Sequence, residues 1–325
     1  MLEPRPDYAP ERKKAKPLDR VIASAVSSVV VVEALWLGAK AGLGAANYSW
    51  GFFILAPIVA GILSTLILGW KEPRKLGDAF ATAAITGLIG MLASLVILGE
   101  GVVCACMALP FALLLLLLGS YAGHRLLELK WGKENPPRLM ASVLIVFPLA
   151  MVTGGTTNEL SGLRQVQTRK IVSAAPDEIW PLLYNMKRLP EPEFWMFQAG
   201  VAHPVEIRTD GDRRYCVLST GEMPERITIS ERNRVLEFEV LDTPPTMKEL
   251  NPFFESRPAH LTGYFECVRG RFELRPLGNG RTEIVGTSWY RHRFAPAWYW
   301  NLWCDAIVHN VHREVISEIE RRVAG

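Results

Sequence analysis

Three ionisable side chains near the end of the chain, Asp305, His309 and His312, are spaced i, i+4 and i+7. On a helix this spacing stacks them on one face over two turns. They fall among apolar positions: Trp298, Leu302, Val308, Ile316, Ile319 and Val323 share the same broad face, with Glu314, Glu318 and Arg321 opposite. Buried ionisable groups require partners, and three arrangements satisfy that requirement. The three residues bond one another and strand residues such as Glu266, Arg291 or His292 as pure structure. They anchor the polar end of a bound ligand. Or they do chemistry, with His309 or His312 as general acid/base oriented by Asp305, or with all three as a metal set. The sequence has no Ser or Cys nucleophile motif, no phosphate loop and no HExxH, so catalytic residues stay unknown and no cofactor or metal is expected.

These residues need a frame. The helix that carries them is predicted over 297–323, opened by Pro296. Upstream, residues 165–173 alternate as a strand, and Pro176, Asp177 and Glu178 open a helix through Ile179, Trp180, Leu182 and Leu183. A short helical or irregular stretch covers 189–199. Three strand pairs follow: 205–208 with 214–220 around Asp210-Gly211-Asp212, 226–230 with 235–241 around Glu231-Arg232-Asn233, and 264–275 with 282–291 around Gly278-Asn279-Gly280. The Asn-Gly step in the last is a strong hairpin signal. Residues 242–262, with Pro244, Pro245, Pro252 and Pro258, are too long for a plain connection. With Leu250, Phe253 and Phe254 the segment is a lid, a membrane-touching flap, or a surface loop with incidental apolar residues.

Strand, two helices, about six antiparallel strands and a long helix is an α+β order. It resembles the helix-grip fold of the START-like (SRPBCC) superfamily, the polyketide cyclase/dehydrase and lipid-transport group. The likeness rests on Ile171-Val172-Ser173-Ala174-Ala175-Pro176-Asp177-Glu178-Ile179-Trp180, on Gly270-Arg271-Phe272-Glu273-Leu274 through Gly280-Arg281-Thr282, and on Trp289 and Pro296 ahead of a helix rich in Trp and Ile. The resemblance implies a curved antiparallel sheet around the long C-terminal helix, an apolar cavity between them, and lipids, sterols or polyketides as ligands. Aromatic residues gather where such a gap would lie: Trp195, Phe197, Phe238, Phe253, Phe254, Tyr264, Phe272, Trp289, Trp298 and Trp303. The expected ligand-binding set is Trp195, Phe197, Phe238, Phe253, Tyr264, Glu266, Trp289, Asp305, His309 and His312.

The first half of the chain is of another kind. Hydrocarbon about 30 Å thick needs roughly 20 apolar residues in a helix, and 21–41, 51–70, 79–98, 102–122 and the weaker 139–153 qualify or nearly do. The organisation is then a basic tail 1–20, a transmembrane domain of about five helices over 21–155, a linker 156–164 and a START-like domain over 165–325. Lys and Arg crowd the tail (Arg5, Arg12, Lys13, Lys14, Lys16, Arg20), the loop with Lys71, Arg74 and Lys75, and the loop with Arg125, Lys130, Lys133 and Arg138. The intervening loops offer only Lys40. That bias puts the N-terminus in the cytoplasm and the C-terminal domain outside it. A cleaved signal peptide ending near Ala45 and Ala46 is the competing reading of the first span, opposed by Glu33 and Trp36 within it. Glu33 is the acid well inside a span, either a proton or substrate site or a group reaching interfacial water or a neighbouring helix.

A net charge of +3 is too small to suggest nucleic acid. Five cysteines without a CxxC are read as buried small hydrophobes, with a Cys216–Cys267 bridge open in an oxidising compartment. The sequence therefore points to a binding protein of the cytoplasmic membrane that holds a lipid or other hydrophobic small molecule next to the bilayer. The other classes are a membrane-bound polyketide cyclase/dehydratase-like enzyme using Asp305, His309 and His312, and a scaffold that binds nothing.

Overall fold

The computed structural model describes residues 17–43, 51–71, 74–129, 134–154, 160–255 and 261–325. The basic tail before Pro17, Ala45 and Ala46, Lys130 and Lys133, Pro258 and residues 156–159 of the linker lie outside the described residues.

The first half is helical: α1 (Pro17–Leu43), α2 (Ala56–Gly69), α3 (Leu76–Ala93), α4 (Val102–Glu128) and α5 (Pro136–Gly154). A π-helical turn, Gly51–Leu55, leads into α2, and another, Ser94–Leu98, extends α3. Among the described residues three stretches are long and apolar enough to cross a membrane: Leu18–Gly38, Leu76–Ile97 and Val102–Glu128. The other two expected spans are shorter apolar helices, Phe53–Gly69 and Pro137–Leu149. At 1.5 Å per residue, a 14-residue α2 covers about 21 Å, less than the hydrocarbon thickness. It is also well enclosed, with nine of its residues buried.

The enclosure of α2 comes from glycine. A Cβ on Gly61 would meet the Leu116 carbonyl oxygen at 2.2 Å, and one on Gly119 would meet the Ile58 carbonyl oxygen at 2.1 Å. The backbones of α2 and α4 therefore touch, as small residues allow in membranes. The Thr65 and Ser120 hydroxyls are hydrogen-bonded at 2.8 Å across the same seam. Gly119→Val is expected to cost about 1–3 kcal/mol through overpacking against main chain that cannot yield. Gly90→Ala, whose Cβ meets only Val29 Cγ2 at 3.9 Å, should be near neutral. Thermal unfolding in detergent compares the two, and equal transitions would mean that α2 and α4 do not approach this closely.

The second half is a seven-stranded antiparallel sheet in the order β1-β7-β6-β5-β4-β3-β2. Its strands are β1 (Arg164–Val172), β2 (Pro204–Asp210), β3 (Arg213–Leu218), β4 (Gly221–Glu231), β5 (Val235–Val240), β6 (Phe265–Gly278) and β7 (Arg281–His292). The helices are α6 (Pro176–Tyr184), α7 (Trp195–Gln198) and α8 (Ala297–Val323). Glu178 accepts the Ala175 amide at 2.8 Å and so closes the first turn of α6. Asn279 and Gly280 sit at φ 52° and 66°, the left-handed pair that a tight hairpin requires. Register shifts of β6 against β7 and of β4 against β5 bend the sheet. The chain is thus a bundle of apolar helices joined to an α+β domain with the helix-grip fold, its curved sheet wrapped around α8.

Two glycines in mid-strand make room for rings on the concave face. A Cβ on Gly270 would meet the Phe238 ring at 2.3 Å, and one on Gly286 would touch His312 Cγ at 3.4 Å. The far end of the grip is closed by a core of Ile179, Leu183, Met186, Leu236, Ile284, Ile316 and Ile319.

Candidate functional site

Helix α8 changes neighbours along its length, and this divides its chemistry. Its last turns, through Val315, Ile316 and Ile319, fill the closed core. Glu318, expected on the outer face, is buried because Arg321 and Arg322 fold over it with N–O distances of 2.6 and 2.5 Å. Its first turns meet the apolar helices of the first half. The Tyr299 hydroxyl donates to the Met107 carbonyl of α4, and the Tyr299 ring stacks on Phe111 with centroids 4.9 Å apart. Phe53 meets Trp300 edge-on at 5.1 Å. Trp298 and Leu302, expected on the buried face, are 58% and 63% exposed because α8 runs along the outside of this junction.

The polar stack lies between these ends and faces β1 and β7. Arg164 clamps Asp305, with Nε at 2.8 Å from Oδ1 and Nη2 at 2.5 Å from Oδ2. The Tyr290 hydroxyl donates to Oδ1 at 2.7 Å. Burial acts to raise the Asp305 carboxyl, but the hydrogen bonds from Arg164 and Tyr290 outweigh it and hold the group below its ordinary value. Burial raises the Tyr290 hydroxyl. The Thr168 hydroxyl bridges His309 Nδ1 at 2.7 Å and His312 Nδ1 at 2.9 Å, and Ser288 Oγ meets His312 Nε2 at 2.8 Å. Burial, helped by the charge of His309, pushes His312 down to about 4. A neutral imidazole with one donor and one acceptor nitrogen suits those two hydroxyls.

The partners proposed for this stack from sequence take no part in it. Glu266 pairs with Arg291 at 2.8 Å, and His292 Nε2 bonds Asn301 Oδ1 at 2.9 Å. These three lie toward the end of the β6–β7 pair, where the register Glu266↔Arg291 sets them against each other. Asp305, His309 and His312 instead meet Arg164, Thr168, Ser288 and Tyr290, four residues with no sequence mark of a site.

Beside the stack, on the next face of α8, lies an apolar cavity of about 370 Å³. Trp303, Cys304, Ile307, Val308 and Val311 form one wall, and Cys216, Leu218, Met223, Phe265 and Cys267 of the sheet another. Residues 243–247 close its side. The remaining lining comes from the bundle: Val29, Val32 and Glu33 of α1, Ala56 and Ala60 of α2, Gly87, Gly90 and Met91 of α3, and Cys104, Ala108, Ala112 and Leu116 of α4. Cys216 and Cys267 are free thiols, and burial pushes each up to about 12, so both present neutral apolar sulfur.

The long segment after β5 is a strap across this junction. Asn251 Nδ2 donates to Leu95 O at 2.7 Å and Glu100 O at 2.9 Å, and the Val102 amide donates to Leu250 O at 2.9 Å. Phe253 and Phe254 are exposed beside it. Glu100, Cys104 and Glu249 place one carboxylate oxygen or thiol each within 4.8 Å of one another at this seam. They are the group among the described residues that could hold a cation, although a thiol and carboxylates prefer metals of different softness.

None of the ten residues expected to bind ligand lines the cavity. Trp195 and Phe253 are exposed, while Phe197 and Phe238 are core. Tyr264 packs on Phe294 with centroids 5.7 Å apart, and Trp289 lies under the Arg269 guanidinium at 3.9 Å. Glu266 is paired as described, and the polar stack touches the cavity only through Ser288. The lining residues of the bundle carried no signal except Glu33, the acid within an apolar run.

No family model and no curated protein matches the chain. Solved structures with a similar course include a truncated norcoclaurine synthase from Thalictrum flavum, at 12% identity over 50% of this chain and 94% of that one, TM-score 0.33. The Zhui aromatase/cyclase of a Streptomyces species is 18% identical over 50% of this chain and 96% of that one, TM-score 0.32. An uncharacterised Bacillus thuringiensis protein is 11% identical over 50% of this chain and 100% of that one, TM-score 0.33. The fold assignment stands on the sheet order and the seat of α8, not on these likenesses.

Proposed function

We propose that this chain is a membrane-anchored binding protein that holds a lipid or other hydrophobic small molecule in the cavity beside α8. The observation that carries the reading is the apolar cavity itself, whose size lies in the range of small-molecule sites. The bundle keeps the cavity at the bilayer, and tethering raises the effective concentration of a bilayer-derived ligand. The cell membrane, a cytoplasmic N-terminus and an extracytoplasmic domain complete the proposal. Its support is the Lys/Arg bias together with the docking of the strap on the hairpin between α3 and α4, where Gly99–Gly101 carries no basic residue. The polar stack is the wall that fixes α8 on β1 and β7, since each of its groups is already bonded to the sheet.

Native mass spectrometry on the full chain, drawn gently from its own membranes, tests the proposal. A stoichiometric apolar adduct is the expected result. An empty protein that also takes up no lipid or apolar fluorophore would sink the binder and favour a scaffold.

A further inference from the structure

The cavity does not belong to the C-terminal domain alone. Glu33 lies ten residues before the end of α1 at Leu43, which is about 15 Å of helix, and Leu116 lies fourteen residues into α4, about 21 Å. Both line the same cavity as Cys216 and Met223 of the sheet. The space therefore runs from the grip into the bundle, past Glu33 of α1 to the middle turns of α4. Its walls are apolar for most of the course, and two carboxyls line it, Glu100 beside the strap and Glu33 within α1. Glu33 Oε2 is buried and has no hydrogen-bond partner among the described residues. Native structures satisfy buried polar atoms, so this oxygen marks where a ligand's polar group belongs.

Size narrows the class further. At about 370 Å³ the cavity lies at the small end of the range for ligand sites, which suits one chain or a compact ring. We infer that the membrane helices form the inner half of the ligand site, and that the ligand is a single-chain or compact-ring molecule whose one hydroxyl or amine donates to Glu33. The inference rests on the binding reading above and gives it a substrate class and an orientation: donor end in the bundle, apolar body in the grip.

The full chain in lipid nanodiscs, titrated with 1-aminoanthracene and with anthracene, tests this. The two probes share a ring system of suitable size, and only the first carries a donor. Saturable fluorescence above that of empty nanodiscs is expected for both. Gly90→Phe fills the bundle end, where a Cβ meets only Val29 Cγ2 at 3.9 Å, and should abolish binding of both. Glu33→Leu should weaken 1-aminoanthracene about tenfold, one buried hydrogen bond, and leave anthracene unchanged, with Glu33→Gln restoring the difference. Leu218→Trp fills the grip end and should also abolish binding. If Leu218→Trp abolishes binding while Gly90→Phe and Glu33→Leu bind normally, the ligand is confined to the domain, and the inference falls with the binder intact. If the unmodified chain shows no saturable binding of either probe, the binding reading itself falls. Should Gly90→Phe lose the parent's unfolding transition, Ala112→Phe, at the same end of the cavity, decides in its place.

Discussion

Replacing Arg214 with methionine is expected to remove about 3–5 kcal/mol of stability from the grip domain, a large share of what holds an ordinary domain together. Arg214 and Glu225 face each other directly across β3 and β4, and both are within 2% of full burial. The guanidinium also donates from Nε to the Leu183 carbonyl at 3.1 Å, at the end of α6, and lies 4.4 Å over the Phe238 ring of β5. One side chain thus joins three elements. Burial pushes the Glu225 carboxyl upward and Arg214 opposes the push. Without the arginine the carboxylate is left buried and unpaired, which costs far more than the pair contributes against an apolar substitute. The loss should therefore be partly recovered in Arg214→Met with Glu225→Leu. It should also shrink at lower pH, where the stranded carboxyl takes up a proton that the unfolded chain releases. Urea unfolding of the full chain in detergent, followed by tryptophan fluorescence, reads both effects. A double variant as unstable as Arg214→Met alone would show that Arg214 acts through packing and its Leu183 bond.

The frame was legible where local chemistry decides it. The Asn279-Gly280 step, the Pro176 helix start and the full extent of α8 follow from positive φ, from a fixed proline φ and from the apolar spacing of residues 297–323. The second span is shorter than expected because α2 is held by Gly61 and Gly119 against α4, a contact that hydropathy does not register. The face of α8 was misjudged at both ends for one reason. A helical wheel assumes one environment along the helix, whereas Trp298 and Leu302 run past the bundle and Glu318 is covered by its own arginines. The cavity was hardest to foresee. Its lining is drawn from α1 to α4 and from four strands, so small residues such as Ala108 and Gly90 matter by juxtaposition and not by type. The aromatic clusters pointed to packing instead, and the mid-strand glycines Gly270 and Gly286 were the better sign of which rings point inward.

Acidification from pH 6.5 toward 4 is expected to destabilise the grip domain by about 3 kcal/mol through His312 alone. The ring is 4% exposed, wedged over Gly286 between Thr168 and Ser288, and burial holds its folded value at about 4 against an ordinary 6.5. Between those values the unfolded chain binds a proton that the folded chain does not. The His312 contribution to stability therefore falls as pH drops through this window, by about 1.4 kcal/mol per pH unit for one site. Glu225 and Glu314, both raised by burial to about 7, act in the opposite direction, so the comparison with a His312 variant isolates it. His292, also lowered by burial, adds to the slope in the same direction. Asp305, Glu273 and Glu318 are lowered in the folded state, so their losses come mainly below this range. His312→Gln offers the two hydroxyls a donor and an acceptor without a titrating group. It should be less stable than the parent at pH 7 but flatter toward acid, so the two urea midpoints converge as pH falls to 4.5. Parallel curves would mean that His312 takes up its proton in place, with Thr168 and Ser288 turning to accept from it. The neutral ring would then have no part in fixing α8 to β1 and β7. Convergence would instead identify the stack as a neutral, satisfied wall, the chemistry that lets an apolar cavity stand directly beside it.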